Sequence, residues 1–456
     1  MIDFSNYLSP GRKGHLIGIG GVSMSSLAEV LCGMDIVITG SDMNDNPNVR
    51  SLRGRGIKVY IGHKAENIDA DVDFVVRTAA VHDDNPEIMY AREKGIPVFE
   101  RTEAWGAISK DYANALCISG THGKTTTTSM CTHILMAADR DPTVMIGGTL
   151  PLLNAGHRVG CGNTIIMEAC EYYNSFHSFH PTVAVILNIE ADHLDFFKDL
   201  DDVKDSFRVF AERTPREGTI VANYDDVNTM DTVKDIDRKV ITFGFSSEAD
   251  VYAQNIRYHG ANSTFDIMYK GNLFTEVTLH VPGEHNVKNA LAATAASICL
   301  GIKPYAVKYG LAGFNGAGRR FEFKGKYNGA DVYDDYAHHP SELQALLDTV
   351  EKLNYGRSII VFQPHTYTRT AALFEDFVHQ LKRAEVLILA EIFAAREHNT
   401  VGISSADLAE KIDGAAFYPD FDALETALRA IARPGDIILT VGAGDVYKIG
   451  EHLVNS

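Results

Sequence analysis

The stretch CISGTHGKTTTTSM (117–130) sets two glycines, a lysine and a row of threonines between an apolar strand, ALCI, and a helical run, SMCTHILMAA. Backbone N–H groups in such a turn, together with the helix dipole, form a cradle for an anion. Gly120, Thr121, His122 and Gly123 make the turn, Lys124 adds a mobile positive charge, and Thr125 and Thr126 follow with hydroxyls. The Thr125 hydroxyl suits Mg2+. The spacing is G-x-x-G-K-T, because Ile118 interrupts the longer G-x-x-x-x-G-K-[ST] pattern. A chance Gly-Lys-Thr turn is the alternative, and the strand–loop–helix context favours a phosphate.

A second glycine turn, GIGGVSMSS (18–26), also follows a strand and opens a helix, offering Gly18, Gly20, Gly21 and then Ser23. Asp42 ends the next strand, where a dinucleotide site places a ribose-binding acid. Alone this fits NAD, another nucleotide or plain strand–helix packing. A dehydrogenase leaves the GKT loop unexplained, and a simple NTPase or nucleotide switch leaves the second nucleotide fold unexplained. A ligase that hydrolyses ATP and holds a nucleotide-linked acid uses both.

Two strand ends carry acids. MEACEYY (167–173) supplies Glu168 and Glu171, and LNIEADHLDFF (187–197) supplies Glu190, Asp192, His193 and Asp195. Hard oxygens with one imidazole suit Mg2+ or Mn2+ bridging phosphates. Glu168 and His193, with Thr125, are the predicted metal ligands, and Glu190, Asp192 and Asp195, taken singly, read rather as a solvated acidic turn. PGEHNVKNALAA (282–293) puts His285, Asn286 and Asn289 on the first turns of a helix, suited to an adenine edge or, for Asn286, to capping. GRRFEF (318–323) places two guanidinium groups where a phosphate could meet them. VYDDYAHHP (332–340) and VFQPHTYTRT (361–370) bring Asp335, Tyr336, His338, His365, Tyr367 and Arg369 to one sheet edge, where an arginine fits a small carboxylate.

The elements that must position these groups alternate between short apolar runs and helical patterns, an α/β signature. HLIGIGG, IVITGSD, IKVYIG, DFVVRTAA and IPVFE predict the strands of a Rossmann-like unit. A central P-loop-type ATPase unit takes NTIIMEAC, TVAVILNI and GTIVAN into a mostly parallel sheet, and the alternation from about 240 to 282 predicts a small antiparallel sheet. A glycine-rich FNGAGRR (314–320) predicts a hinge before a third, Rossmann-like α/β unit with RSIIVFQP, EVLILAEIF and DIILTVGAG. The expected domains are 1–107, 108–318 and 319–456, in keeping with 456 residues being too many for one core.

Composition narrows the partners. Hydrophobic residues make up 45% and charged residues 22%. The formal charge of −18 argues against nucleic acid or an anionic membrane, which need a basic field. Six scattered cysteines without a C-x-x-C pair predict reduced thiols, and the N-terminal MIDFSNYLSPGRKG has no apolar signal core, so a cytoplasmic protein is expected.

In this order the motifs resemble those of the Mur ligases over nearly the whole chain: HLIGIGGVSMSSLAEVL, GSD, NPEI, GTHGKTTTT, NIEADHLD, GEHNVKNALAA, GRRFE, DDYAHHP, FQPHTYTRT and a late GAGD. The resemblance implies three domains and ATP-dependent joining of L-alanine to UDP-N-acetylmuramate through an acyl phosphate. It implies that Gly18 to Ser23, with Asp42, hold the UDP part. ATP and Mg2+ would lie against Gly120–Thr126, Glu168 and His193, with adenine near His285, Asn286 and Asn289 and the ribose at Asp335. Tyr336, His365 and Arg369 would meet the amino acid. Lys124, His193, Arg320 and His338 would act in catalysis, Arg320 matching the family's hinge arginine and either His338 or His365 taking the amine's proton. A sister branch that attaches a preformed peptide typically reads GICGT where this chain has GIGGV. Departures are Ser23 for a frequent glycine, EACEYYNSF for EADESDASF, and Thr366 for a frequent arginine.

Overall fold

A computed structural model describes residues 3–194, 196–395 and 397–455; Asp195 lies outside them. Five parallel strands make the first sheet: β1 (Lys13–Ile17), β2 (Val37–Asp42), β3 (Lys58–Ile61), β4 (Phe74–Arg77) and β5 (Val98–Glu100), in the order β3-β2-β1-β4-β5. The predicted first-unit strands all form, and the glycine turn leaves β1 at the centre of the sheet.

The second sheet has ten strands: β6 (Asn114–Ser119), β7 (Thr143–Leu150), β8 (Ala155–Arg158), β9 (Thr164–Glu168), β10 (Val183–Ile186), β11 (Thr219–Asn223), β12 (Lys239–Gly244), β13 (Val251–His259), β14 (Asn262–Tyr269) and β15 (Asn272–Leu279). Their order is β15-β14-β13-β12-β11-β10-β6-β9-β7-β8. β6 lies between β10 and β9, so the chain changes direction across the sheet where the phosphate loop departs, the usual place for a ligand in an open α/β sheet. The stretch 240–282 divides. β13, β14 and β15 pair antiparallel as expected, whereas β12 runs parallel to both β11 and β13. A helix, Val227–Val233, carries the chain from β11 back to the start of β12, and such a crossover makes parallel neighbours. The antiparallel strands thus extend the main sheet.

The third sheet contains β16 (Glu322–Tyr327), β17 (Ala330–Asp335), β18 (Arg357–Phe362), β19 (Val386–Ala390), β20 (Ala416–Tyr418) and β21 (Asp436–Val441), in the order β16-β17-β21-β18-β19-β20. Only β16 pairs antiparallel. Between helix Pro304–Ala312 and β16 the chain is irregular, with Gly316 at φ 106° and the Gly318 N–H donating to Thr149 O.

Helix Lys124–Ala137 begins at Gly123, whose φ of 86° favours glycine. Threonine is a weak helix former, yet this helix is buried on all sides between its sheet and the helices Glu284–Cys299 and Pro304–Ala312. Thr128, Ser129 and Thr132 satisfy their hydroxyls on the carbonyls four residues back, at 2.8 Å each. Where the helices cross, a Cβ on Gly310 would stand 2.5 Å from Ile134 Cα. Alanine would gain about 0.5–1 kcal/mol of helix propensity, but overpacking against backbone costs about 1–3 kcal/mol, so the clash wins. Gly310→Ala is expected to lower the denaturation midpoint and, because the displaced helix carries the phosphate loop, to lower turnover as well. A more stable Gly310→Ala protein would show that the crossing has slack.

Candidate active site

The phosphate loop is built by close approach. A Cβ on Gly120 would lie 2.8 Å from Leu187 Cβ, and one on Gly123 2.6 Å from Asn289 Oδ1. The amide of Asn188, just past β10, clasps the loop: His122 N–H donates to its Oδ1 at 2.8 Å, and its Nδ2 donates to His122 O at 3.1 Å. The Thr121 hydroxyl accepts from Glu190 N–H.

Lys124 does not project into solvent. Its ammonium donates to Gly120 O (2.5 Å), Thr121 O (3.1 Å) and Glu171 Oε2 (2.9 Å), with its side chain 14% exposed and that of Glu171 3%. Burial opposes its charge, but Glu171 overrides burial and raises the lysine pKa. Thr125 Oγ1 donates to Glu168 Oε2 at 2.9 Å, and Gly147 N–H donates to the same oxygen at 2.8 Å. Two neighbouring oxygens on an octahedral Mg2+ with bonds of about 2.1 Å stand about 3 Å apart, so this pair fits that ion. His193, with φ 55°, lies 3.7 Å from Glu171 and stacks on Tyr172 at 4.2 Å. Burial lowers its pKa and keeps the ring neutral, as metal ligation requires.

Two cavities open around the loop. One, of about 240 Å3, is bordered by His122, Gly123, Thr126, Phe243, His285, Asn286, Asn289, Phe314, Arg320 and Asp335. Asn286 does not cap its helix, which starts from Gly283: its Nδ2 donates to Pro282 O and its Oδ1 accepts from Asn289, which leaves one N–H and one lone pair of the amide open. Asp335 accepts the N–H groups of Phe321 and Ala337, and burial pushes its pKa up to about 6. The other cavity, of about 650 Å3, brings Lys124, Thr125, Glu168, Asp192 and His193 of the middle sheet to Arg320, Tyr336 and His338 of the third unit.

The two hinge arginines separate. Arg319 is tied into the third unit by Asp334 Oδ2 (2.9 Å) and the carbonyls of Gly442 and Gly444. Arg320 borders both cavities, 3.7 Å from Glu342 and over the Tyr336 ring. Arg369 donates to Asp192 Oδ1 (3.2 Å) and to His365 Nδ1 (3.3 Å), an ion pair between third and middle units. That pair occupies Asp192, one of the acids considered for metal.

Sequence reasoning missed Glu342. This residue forms a capping box with His339 at the start of helix Pro340–Glu351, and the pattern H-P-S-E was readable as such. Unread was its reach across to the phosphate loop. Its carboxylate accepts from His338 N–H (2.9 Å) and lies 3.2 Å from His122 Nδ1, while Ser341 Oγ lies 2.9 Å from His122 Nε2. Glu190 stands 3.4 Å from the same ring. His122, Glu190 and His339 also form the one close group of metal-binding side chains among the described residues. Burial disfavours a charged His122, but Glu342 and Glu190 outweigh it and raise its pKa to about 9, so with no ion bound the ring is protonated at neutral pH.

At the first glycine turn, Gly18 has φ 77° and Gly20 N–H donates to Asp42 Oδ2 at 2.9 Å. Asp42 also accepts from Asn44 N–H, so it braces the turn. Ser23 Oγ accepts from Arg101 at 2.6 Å.

The His122 contacts have a pH signature. Because the folded pKa lies above the ordinary value of about 6.5, the stabilisation is complete below that pH and disappears as pH rises through about 9. Melting temperature is expected to fall across that window more steeply for wild type than for His122→Gln. Parallel curves would show that the ring contributes no such linkage.

Family models match three successive parts of the chain: Mur ligase family, catalytic domain, over residues 13–113; Mur ligase middle domain over 118–297; and Mur ligase, glutamate ligase domain, over 319–444. A UDP-N-acetylmuramate–L-alanine ligase of Agathobacter rectalis is 46% identical over 445 residues, covering 96% of this chain and 97% of the relative. One from Clostridium botulinum strain Langeland is 46% identical over 446 residues, covering 97% of each. Among solved structures, a UDP-N-acetylmuramate-alanine ligase from Thermotoga maritima superposes with a TM-score of 0.81 at 28% identity, over 97% of this chain and 98% of that one. A murein peptide ligase from Psychrobacter arcticus reaches 0.74 at 23% identity over 98% of each, a likeness of fold. With its three sheets in the order these matches require and relatives this similar along its length, the chain belongs to the Mur ligase family.

Proposed function

We propose that this chain joins L-alanine to the carboxylate of UDP-N-acetylmuramate with conversion of ATP to ADP and phosphate, a step of peptidoglycan precursor synthesis. The observation that carries the reading is the larger cavity, where the phosphate-loop lysine and the Thr125–Glu168 pair face Arg320 and His338 of another unit. The names and 46% identity of the relatives support L-alanine as the acceptor. Residues 1–107 hold the UDP-linked acid, 108–318 the ATP, and 319–456 the amino acid.

A carboxylate is a poor electrophile. Its oxygen attacks the γ-phosphorus, the bond to the bridging oxygen breaks, and ADP leaves; the acyl phosphate then accepts the amine at its carbonyl carbon and loses phosphate. Lys124 and Arg320 offset charge on the transferring group. Mg2+, or Mn2+, when bound at Thr125 and Glu168 with His193 nearby, supplies further neutralisation of phosphate charge. Incoming phosphate draws Lys124 from Glu171 and the loop carbonyls. The alanine ammonium must lose a proton, and the two candidate histidines differ. His338 Nδ1 lies 2.9 Å from Tyr336 O and therefore carries the hydrogen, leaving Nε2 with a free lone pair. The His365 lone pair at Nδ1 is taken by Arg369. Burial lowers the pKa of His338 to about 4, so the ring is neutral at pH 7. His338 is the base.

ADP formation in the presence of ATP, Mg2+ and UDP-N-acetylmuramate is expected to depend on L-alanine across a panel with glycine, L-serine and a tripeptide with a free amino terminus. Release driven by tripeptide alone would instead identify a peptide-recycling ligase.

Lys124→Ala is expected to reduce kcat by at least about 10²–10³-fold. It also strands Glu171 as a buried unpaired acid, at about 3–5 kcal/mol. Lys124→Ala/Glu171→Gln is expected to regain most of that stability and none of the activity. Equal stability of the single and double variants would show that the pair is not what holds the loop.

A further inference from the structure

The reaction brings together anions that repel: the diphosphate and carboxylate of the UDP-linked acid, and the terminal phosphate of ATP. Lys124 and Arg320 serve the ATP side. At the junction of the first and middle units stands a cation that no step above uses. Arg101 is the first residue of helix Arg101–Lys110, just past β5. Its Nη1 donates to Ser23 Oγ at 2.6 Å, at the start of helix Val22–Gly33. The Ser23 hydroxyl in turn points to Met145 Sδ in β7 of the middle sheet, at 3.6 Å. On its other side Arg101 is an electrostatic neighbour of Cys170, which borders the larger cavity with Lys124 and Glu168.

Glu100 acts on Arg101 electrostatically but makes no ion pair with it. The nearby Arg77 is held by Glu100 at 2.8 Å and Asp83 at 3.1 Å. Among the described residues no carboxylate comes within 4 Å of the Arg101 guanidinium, and of the five N–H donors such a group carries, the one bonded to Ser23 has a protein acceptor. Burial lowers the arginine's pKa, and a partly desolvated charge calls for a partner of opposite sign. The helix beginning beside it, Val22–Gly33, has no side-chain cap on its first N–H groups.

We infer that Arg101 is a substrate-binding residue whose guanidinium takes an anionic oxygen of the UDP-linked acid, either its carboxylate or its diphosphate, where the first unit meets the middle one. This rests on the reaction proposed above. A planar guanidinium presents parallel donors to either group, and neutralising the acid lets it approach a second anion.

The test compares binding of UDP, UDP-N-acetylglucosamine and UDP-N-acetylmuramate by calorimetry, in wild type, Arg101→Met and Arg101→Lys, with melting curves to establish folding. Arg101→Met is expected to weaken UDP-N-acetylmuramate by about 10–100-fold, to leave the KM values for ATP and alanine unchanged, and to be partly rescued by Arg101→Lys. Loss confined to UDP-N-acetylmuramate identifies the carboxylate as the anion held, and equal loss for all three ligands identifies the diphosphate. Unchanged affinity for all three in folded Arg101→Met, or losses as large in Arg101→Lys as in Arg101→Met, would overturn the assignment. Wild-type enzyme that binds UDP-N-acetylmuramate but forms no ADP with any amine would sink the reaction while leaving the anion site standing.

Discussion

An ammonium group withdrawn from water needs an acid within bonding distance, and for Lys124 that acid is Glu171 at 2.9 Å. The pairing does more than settle one charge. Glu171 sits in the turn after β9, the turn continues into Tyr172, and Tyr172 stacks on His193 across from the same carboxylate. One buried acid therefore holds the phosphate-loop lysine in a folded-back position and stands beside the imidazole of the neighbouring strand end. Tyr173 and Asn174, both with positive φ, follow at once, and Asn174 is pinned by the Ser206 hydroxyl. Backbone strain at such residues persists only where surrounding contacts hold it.

A second acid joins the middle unit to the third. Glu342 caps the helix that carries it, accepts the His338 N–H, faces the His122 ring and lies 3.7 Å from Arg320. Its carboxyl pKa falls well below the usual range, although burial alone would raise it, because His338, His122 and Arg320 surround it. His122 belongs to the loop that would take the nucleotide phosphates, so filling the loop and seating the third unit act on the same side chains. The Arg369–Asp192 pair makes a parallel bridge. Each links a residue of one unit to a charge on the other, so the cleft's width and its electrostatics are set together.

Much of this was readable. Most of the parallel strands and the two glycine turns follow from local pattern, because a strand ending in a glycine turn before a helix can be recognised over a dozen residues, whereas residue type alone marked Thr125 and Glu168 as partners across 43 positions. Less local features were hidden. The parallel placement of β12 depends on a crossover helix, and the β7–β8 hairpin carries little alternation in sequence. Lys124, a mobile positive charge by sequence, is folded back onto Glu171, which lies 47 positions along the chain. Arg319 and Arg320 are adjacent and chemically identical; the resemblance favours Arg320 for the site, and Asp334 with the carbonyls of Gly442 and Gly444 gives the physical reason, by tying Arg319 into the third unit.

Residue type and spacing, then, determined which chemistry the chain carries, since an anion cradle, hard-oxygen acids and arginines announce themselves wherever they fold. Which of these groups face one another was decided by the tertiary structure. Contacts such as His122 with Glu342, or Arg101 with Ser23, join positions 220 and 78 residues apart, and their formation depends on how separate sheets pack. No periodicity along the chain encodes that packing, because it is fixed by the summed burial of faces that meet only after each sheet has formed.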